Sequence, residues 1–313
     1  MAANSDFPYI WTNDNPGVKQ LSDVFTSEYS KIEAILRKSG AILFKSFDIN
    51  DPVKLEACVR AFPGKSIAYA GGNSPRTNLH GNVYTSTEQP ADSLISLHNE
   101  LSYASSWPTH IFFCCETPAQ EGGNTTIADS RKILSDLPPG VVQIFREKGV
   151  QYIRNLHGGH GAGPSWQKTF ETNDPAEVEA HCKAHDILYE WTGSKKLKLI
   201  EKRKAIIQHP ETGEEVWFNQ ADQFHPSTNP EEVYEALMEI YEDDPQEMPQ
   251  YVCFSDGTEI PLDMLEKIRE VGNRNTVLFD WEKGDLLLLD NILAAHGRMP
   301  FKGPRKILVA MTS

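Results

Sequence analysis

The sequence is short of the features that mark membrane, nucleic-acid-binding and disulfide-rich proteins. No apolar run approaches the length of a membrane span, so a helical membrane protein is excluded. Basic residues are in deficit: 30 Lys and Arg stand against 44 Asp and Glu, a formal net charge of -14. Nucleic acid and anionic membrane surfaces reward clustered Lys and Arg, so neither is expected as a partner. The nearest thing to a basic cluster, Lys195 to Lys204, is broken by Leu197, Leu199, Ile200 and Glu201 and reads as one charged face of a strand or helix. Cys58, Cys114, Cys115, Cys182 and Cys253 form an odd set without paired metal-type spacing, the pattern of buried thiols in a reducing compartment. The opening Met1 to Asp6 lacks the basic-then-apolar order of a signal peptide, and a cytoplasmic location is expected.

Linkers, internal repeats and low-complexity tracts are missing too. With 313 residues, 39% hydrophobic and 24% charged, the chain can bury a large core, and a single domain over 1–313 is expected. Apolar spacing predicts a helix over Ser22 to Arg37 stopped by Gly40, a strand over Ala41 to Phe47 and a helix over Pro52 to Phe62. Strand-like runs follow at Val83 to Ser86, Ile95 to Leu97 and His110 to Phe113, then helices at Ser130 to Leu137 and Pro139 to Lys148. Later strands are expected at Lys204 to Ile207, Val216 to Phe218, Asn275 to Phe279, Asp285 to Asp290 and Arg305 to Met311, with helices at Pro230 to Tyr241 and Pro261 to Val271. Many short strands with helices to one side indicate a mainly β fold, a double-stranded β-helix (jelly-roll, cupin-like) with insertions.

The chemistry concentrates at Ile95-Ser96-Leu97-His98-Asn99-Glu100-Leu101. In extended backbone, residues two apart point the same way, so an imidazole and a carboxylate meet on one face. A third ligand must come from elsewhere, and His296, in Asp290 to Arg298 after an apolar strand, is the candidate. Two histidines and one carboxylate leave coordination positions open, as in iron(II) oxygenases. Arg305 begins the last apolar strand, and its planar fork suits a carboxylate of a co-substrate; Thr125, after Gly122-Gly123, can add a hydroxyl to the same group. Alternation places Arg305, Ile307 and Val309 on one face, and the planar fork, better suited to a carboxylate, favours Arg305 over the adjacent Lys306.

Two competing motifs have plainer readings. His181 and His185 sit four apart on an expected helix but lack the glutamate of zinc proteases, so a solvated helix face is expected. His157 to Gly163 is Gly-rich without a following Gly-Lys-Ser/Thr, which disfavours a phosphate cradle. The stretch 157–203 reads instead as a lid or insertion, with Arg154, Asn155, His157 and Trp166 as contacts.

Gly40 to Phe47, Leu97 to Tyr103, Gly122 to Thr125, Trp217 to Gln220 and Trp281 to Arg305 together resemble the taurine dioxygenase and clavaminate synthase superfamily, nearest its natural-product amino-acid hydroxylases of secondary metabolism. The resemblance implies that His98, Glu100 and His296 bind Fe(II) and that Thr125 and Arg305 hold the distal carboxylate of 2-oxoglutarate. Lys45 departs from the pattern, standing where many relatives have arginine. Related halogenases replace the metal carboxylate with a small residue to admit chloride, so Glu100 implies oxygen insertion or another oxidation. The implied reaction consumes O2 and 2-oxoglutarate, with ascorbate as a stimulant, releases succinate and CO2, and hydroxylates an unactivated C–H of an amino-acid-like or carrier-bound small molecule. Desaturation, epimerisation and ring formation use the same cofactors. A non-catalytic metal-binding cupin-like module is the alternative of another class. Asn99, Tyr103, Asn219 and Arg298 are substrate-site candidates; Arg298 could equally pair with Asp290 and stiffen its loop.

Overall fold

A computed structural model describes residues 7–14, 20–68, 76–242 and 244–313; Met1 to Asp6 lie outside them. The first apolar stripe forms two helices, Leu21–Ser27 and Tyr29–Ser39, where one was expected. Glu28, at φ -111 and ψ 15, breaks the helical run. Val24, Phe25, Ile32 and Leu36 nonetheless reach one core, which is why periodicity did not reveal the break. Gly40 closes the second helix at φ 78, a left-handed cap that glycine adopts without a Cβ clash.

The architecture rests on two sheets. The larger has seven strands in the order Tyr9–Thr12, Ala41–Lys45, Leu286–Asp290, His110–Thr117, Lys306–Thr312, Val83–Thr85 and Asn78–His80. The smaller has four, Val277–Leu278, Thr125–Asp129, Ala294–Arg298 and Ile95–His98. Alternation along Leu286–Asp290 sorts the side chains between two cores. Leu286 and Leu288 pack with Phe25, Phe44 and Leu55 beneath the N-terminal helices, while Leu287 and Leu289 join Ile127, Ala294, Val309 and Met311 between the sheets. All four leucines are fully buried, each stabilising by about 1.5–3 kcal/mol. Cys114 and Cys115 divide between the same two cores. All five cysteines are free and buried.

Two elements differ from expectation. The helix expected to end at Val271 runs Leu262–Asn275, leaving only Val277–Leu278 as strand. His296 occupies a strand of its own, Ala294–Arg298, rather than a loop. The 157–203 segment contains helices Trp166–Phe170 and Pro175–Ala184 and ends in the strands Leu188–Thr192 and Lys196–Arg203. Those strands pair with Val150–Leu156 and Gln250–Phe254 in a third, antiparallel sheet. The charged cluster is therefore a strand whose Leu197, Leu199 and Glu201 face inward. Among the described residues, no helix is long and apolar enough to cross a membrane.

Candidate metal centre

His98 ends the edge strand of the smaller sheet, directly opposite His296 in antiparallel register. Side chains of directly paired residues share a face, and the two ring centroids lie 4.4 Å apart. Gly297 permits this approach: a Cβ there would stand 2.4 Å from the Ile95 carbonyl oxygen and 2.6 Å from Thr126 Oγ1. The glycine of His-Gly-Arg thus keeps the two histidine strands together.

Glu100 lies just past the strand, where its backbone is clipped in place. Its N–H donates to Asn291 Oδ1 at 2.7 Å, and Asn291 Nδ2 donates to the Glu100 carbonyl at 3.0 Å. Asn291 is fully buried. The chain then turns sharply at Leu101, φ 56. One ligand atom from each of His98, Glu100 and His296 lies within 4.8 Å of the others.

The donor set fits a divalent first-row metal. Nδ1 of His98 pairs with the Ser96 carbonyl at 2.9 Å, leaving Nε2 as the free ring nitrogen. Burial, then the neighbouring His296, push the His98 imidazole down to about 4, so it is neutral and able to ligate at neutral pH. Burial works against a charged Glu100, but the Arg76 guanidinium and the two imidazoles outweigh it and hold the carboxyl well below the usual carboxylate range. His296 Nδ1 is buried with no hydrogen-bond partner, and His296 Nε2 sits 3.7 Å from Glu100 Oε2. Arg76 donates to the same Oε2 at 2.7 Å, so the buried carboxylate already has one cationic partner, and the two imidazoles beside it complete a donor set for a divalent ion.

The three residues open onto a cavity of about 820 Å³ that also presents Arg76, Thr125, Arg298 and Arg305. Arg305 donates its Nε to the Gly123 carbonyl at 2.9 Å and lies beside the Phe301 ring. No carboxylate among the described residues pairs with it. Burial, with Arg298 nearby, lowers its pKa to about 10: a desolvated cation facing an open cavity. Lys306 instead pairs with Glu116 at 3.0 Å and is not part of the lining. Trp281 Nε1 donates to Thr125 Oγ1 at 3.0 Å, which leaves the hydroxyl hydrogen available to an acceptor. Gly123, at φ 71, would drive a Cβ to 3.0 Å from Arg305 Cδ. Lys45 sits apart, bound to Glu282 and Asp285.

The substrate-site candidates divide. Tyr103 and Arg298 line the cavity; Tyr103 packs on Phe224. Arg298 does not pair with Asp290. Its guanidinium donates to the carbonyls of Gln89, Pro90 and Ser93, fixing that loop as a cavity wall, while Asp290 bonds His209 at 3.0 Å. Asn99 and Asn219 are absent from this lining and serve the backbone: Asn99 donates to the Asn291 carbonyl at 2.6 Å, and Asn219 to that of Ala205 at 3.0 Å. They border a second cavity of about 430 Å³, which shares Ile95, Ser96 and His98 with the first. Nothing from 157–203 lines the main cavity, nor do Arg154 and Asn155. Arg154 pairs with Glu201, Asn155 ties down the Gln246 and Met248 carbonyls, and Trp166 is core. His181 and His185 stack ring on ring, 4.1 Å apart, at a helix end without a third ligand group among the described residues.

Sequence reasoning missed Arg76, Asn291, Gln220, Gln223 and Phe224. Arg76 follows Pro75 outside any periodic element, and Asn291 looks like turn punctuation; neither carries a local signal.

A double-sheet fold whose mouth holds two imidazoles and a carboxylate defines a class of metal-dependent oxygenases. The chain belongs to the taurine catabolism dioxygenase TauD, TfdA family, which it matches over residues 12–312; it is an oxygenase with that family's jelly-roll fold. Among its relatives, the dapdiamide synthesis protein DdaC of Enterobacter agglomerans is 35% identical over 92% of this chain and 86% of that protein. A clavaminate synthase-like protein of Arabidopsis thaliana is 30% identical over 90% of this chain and 83% of that protein. PvcB from Pseudomonas aeruginosa shares the fold at a TM-score of 0.55 and 13% identity, over 97% of this chain and 84% of that one.

Proposed function

We propose that this oxygenase uses Fe(II), O2 and 2-oxoglutarate to hydroxylate an unactivated C–H bond of a small amino-acid-like molecule, with succinate and CO2 as co-products. The observation that carries the reading is the buried His98, Glu100 and His296 cluster opening onto the same cavity as the uncompensated Arg305. Kinship with a dapdiamide synthesis protein supports a natural-product substrate.

In this reading His98, Glu100 and His296 hold the metal. When bound, iron supplies the redox chemistry that joins 2-oxoglutarate decarboxylation to substrate oxidation. Arg305 receives the distal carboxylate of the co-substrate through its free guanidinium nitrogens, and Thr125 donates its hydroxyl to the same group. The Trp281 bond fixes that hydroxyl's orientation. Arg298 acts on the wall, holding loop 89–93 against the site. Tyr103 and Phe224 give the cavity an aromatic surface against which a C–H bond can be positioned.

Succinate formation with Fe(II), ascorbate and 2-oxoglutarate, stimulated by an amino-acid-type substrate, is the test. A screen of amino acids and derivatives, free and carrier-bound, identifies the substrate, and product mass separates outcomes. A gain of one oxygen supports hydroxylation; a loss of two hydrogens contradicts it in favour of desaturation or ring closure.

A further inference from the structure

We infer that Arg76 is a positioning residue that restricts Glu100 to one-oxygen ligation of the metal; the inference rests on the metal site proposed above. Arg76 Nη2 donates to Glu100 Oε2 at 2.7 Å. Both side chains are almost wholly buried, at 4% and 6% exposure. Arg76 approaches from just before strand Asn78–His80 of the larger sheet, whereas Glu100 follows the edge strand of the smaller one. The pair therefore links the two sheets within the cavity lining.

A cation beside a metal ligand needs a reason, because it repels the metal that the ligand is there to bind. Coordination arithmetic supplies one. Two imidazoles and one carboxylate oxygen leave three positions of an octahedron open. A 2-oxo acid that chelates through two oxygens leaves a single position for O2. A carboxylate gripping through both oxygens would remove it. Glu100 sits on a turn with its backbone clipped by Asn291, so its freedom is rotation about the side chain. A buried charge-assisted bond from a guanidinium is strong enough to stop that rotation.

Two consequences separate this role from simple structural support. In Arg76→Gln, loss of the neighbouring positive charge removes repulsion, so metal affinity is retained or rises. The carboxylate, no longer held, closes on the metal with both oxygens, and reaction with O2 slows.

The direct experiment is an anaerobic crystal structure of the wild-type enzyme loaded with Mn(II) or Fe(II), together with metal titration and Co(II) absorption spectra of wild type, Arg76→Gln and Arg76→Lys. The expected result is one Glu100 oxygen on the wild-type metal with Arg76 still bonded to the carboxylate. Arg76→Gln should bind Co(II) within threefold of wild type or more tightly, give an altered ligand-field spectrum, and lose kcat with little change in the KM for 2-oxoglutarate. Arg76→Lys should restore part of the wild-type spectrum. Two-oxygen ligation by Glu100 in the wild type, or Arg76 turned away from it, overturns the inference even if no variant folds. A folded Arg76→Gln that loses metal affinity tenfold does so as well. A wild type with no metal on His98, Glu100 and His296 defeats the underlying site assignment instead.

Discussion

Replacing Arg305 by Gln should remove the anchor for the co-substrate while leaving the metal in place. Nε of Arg305 is committed to the Gly123 carbonyl, so the two terminal nitrogens are what the cavity offers. They form a planar fork matched to a carboxylate, and burial has already removed the water that would screen the pairing. Truncating one partner of a buried, hydrogen-bonded charge pair costs roughly 2–5 kcal/mol. At about 1.36 kcal/mol per tenfold, the Kd for 2-oxoglutarate should rise by roughly 30-fold or more. Arg305→Lys keeps the charge but loses the fork, and should fall in between. Calorimetric titration of the Mn(II)-loaded protein with 2-oxoglutarate measures the change. Pyruvate, which has no distal carboxylate, provides the control: wild type should prefer 2-oxoglutarate strongly, and Arg305→Gln should not. A metal-replete, folded variant whose Kd changes less than threefold, or whose preference over pyruvate survives, would refute the assigned role.

Gly123→Ala should raise the 2-oxoglutarate KM while sparing metal binding, because its Cβ displaces Arg305 Cδ; steady-state kinetics and metal analysis check this. Gly297→Ala pushes strand Ile95–His98 away from His296, and equilibrium dialysis should show metal binding lost. Acid should weaken the fold through His225, which burial and then Arg269 push down from 6.5 to about 4. Above pH 6.5 neither state binds the proton; as pH falls from there towards 4 only the unfolded chain takes it up, so stability drops by up to roughly 3 kcal/mol. His225→Asn should flatten the Tm profile over that interval. With Glu100 intact, chloride in the assay should yield no chlorinated product by mass spectrometry.

Much of this site was legible in the chain because its residues are marked by what precedes them. His98 closes an apolar strand, His296 lies in a His-Gly-Arg flanked by apolar runs, and Arg305 precedes a strand in which the five residues Ile307 to Met311 alternate between two cores. The planar fork favours Arg305 over Lys306, and of the two Arg305 lines the cavity while Lys306 pairs with Glu116. Long-range polar partners were not legible. Arg76 bonds Glu100 across 24 residues, and Asn291 clips it across 191; neither spacing leaves a local trace. Asn99 illustrates the converse. Beside two ligand residues it looks like a substrate contact, yet its amide is consumed by the carbonyls of the facing loop. The stretch 157–203, polar and Gly-rich at its start and read from the sequence as a lid or insertion, contributes Trp166, Val178 and Leu199 to a small core with Leu156. Composition reports the loop's polarity and not the sheet behind it.

The central claim is that His98, Glu100 and His296 bind the iron that drives 2-oxoglutarate turnover. Iron content and succinate formation, measured together on wild type and His98→Ala, test it most directly. The expected result is one Fe(II) per wild-type chain with succinate formation, and loss of both by about 100-fold or more in the folded variant. Equal turnover in His98→Ala, or wild-type protein that binds iron yet forms no succinate with any substrate screened, would contradict it.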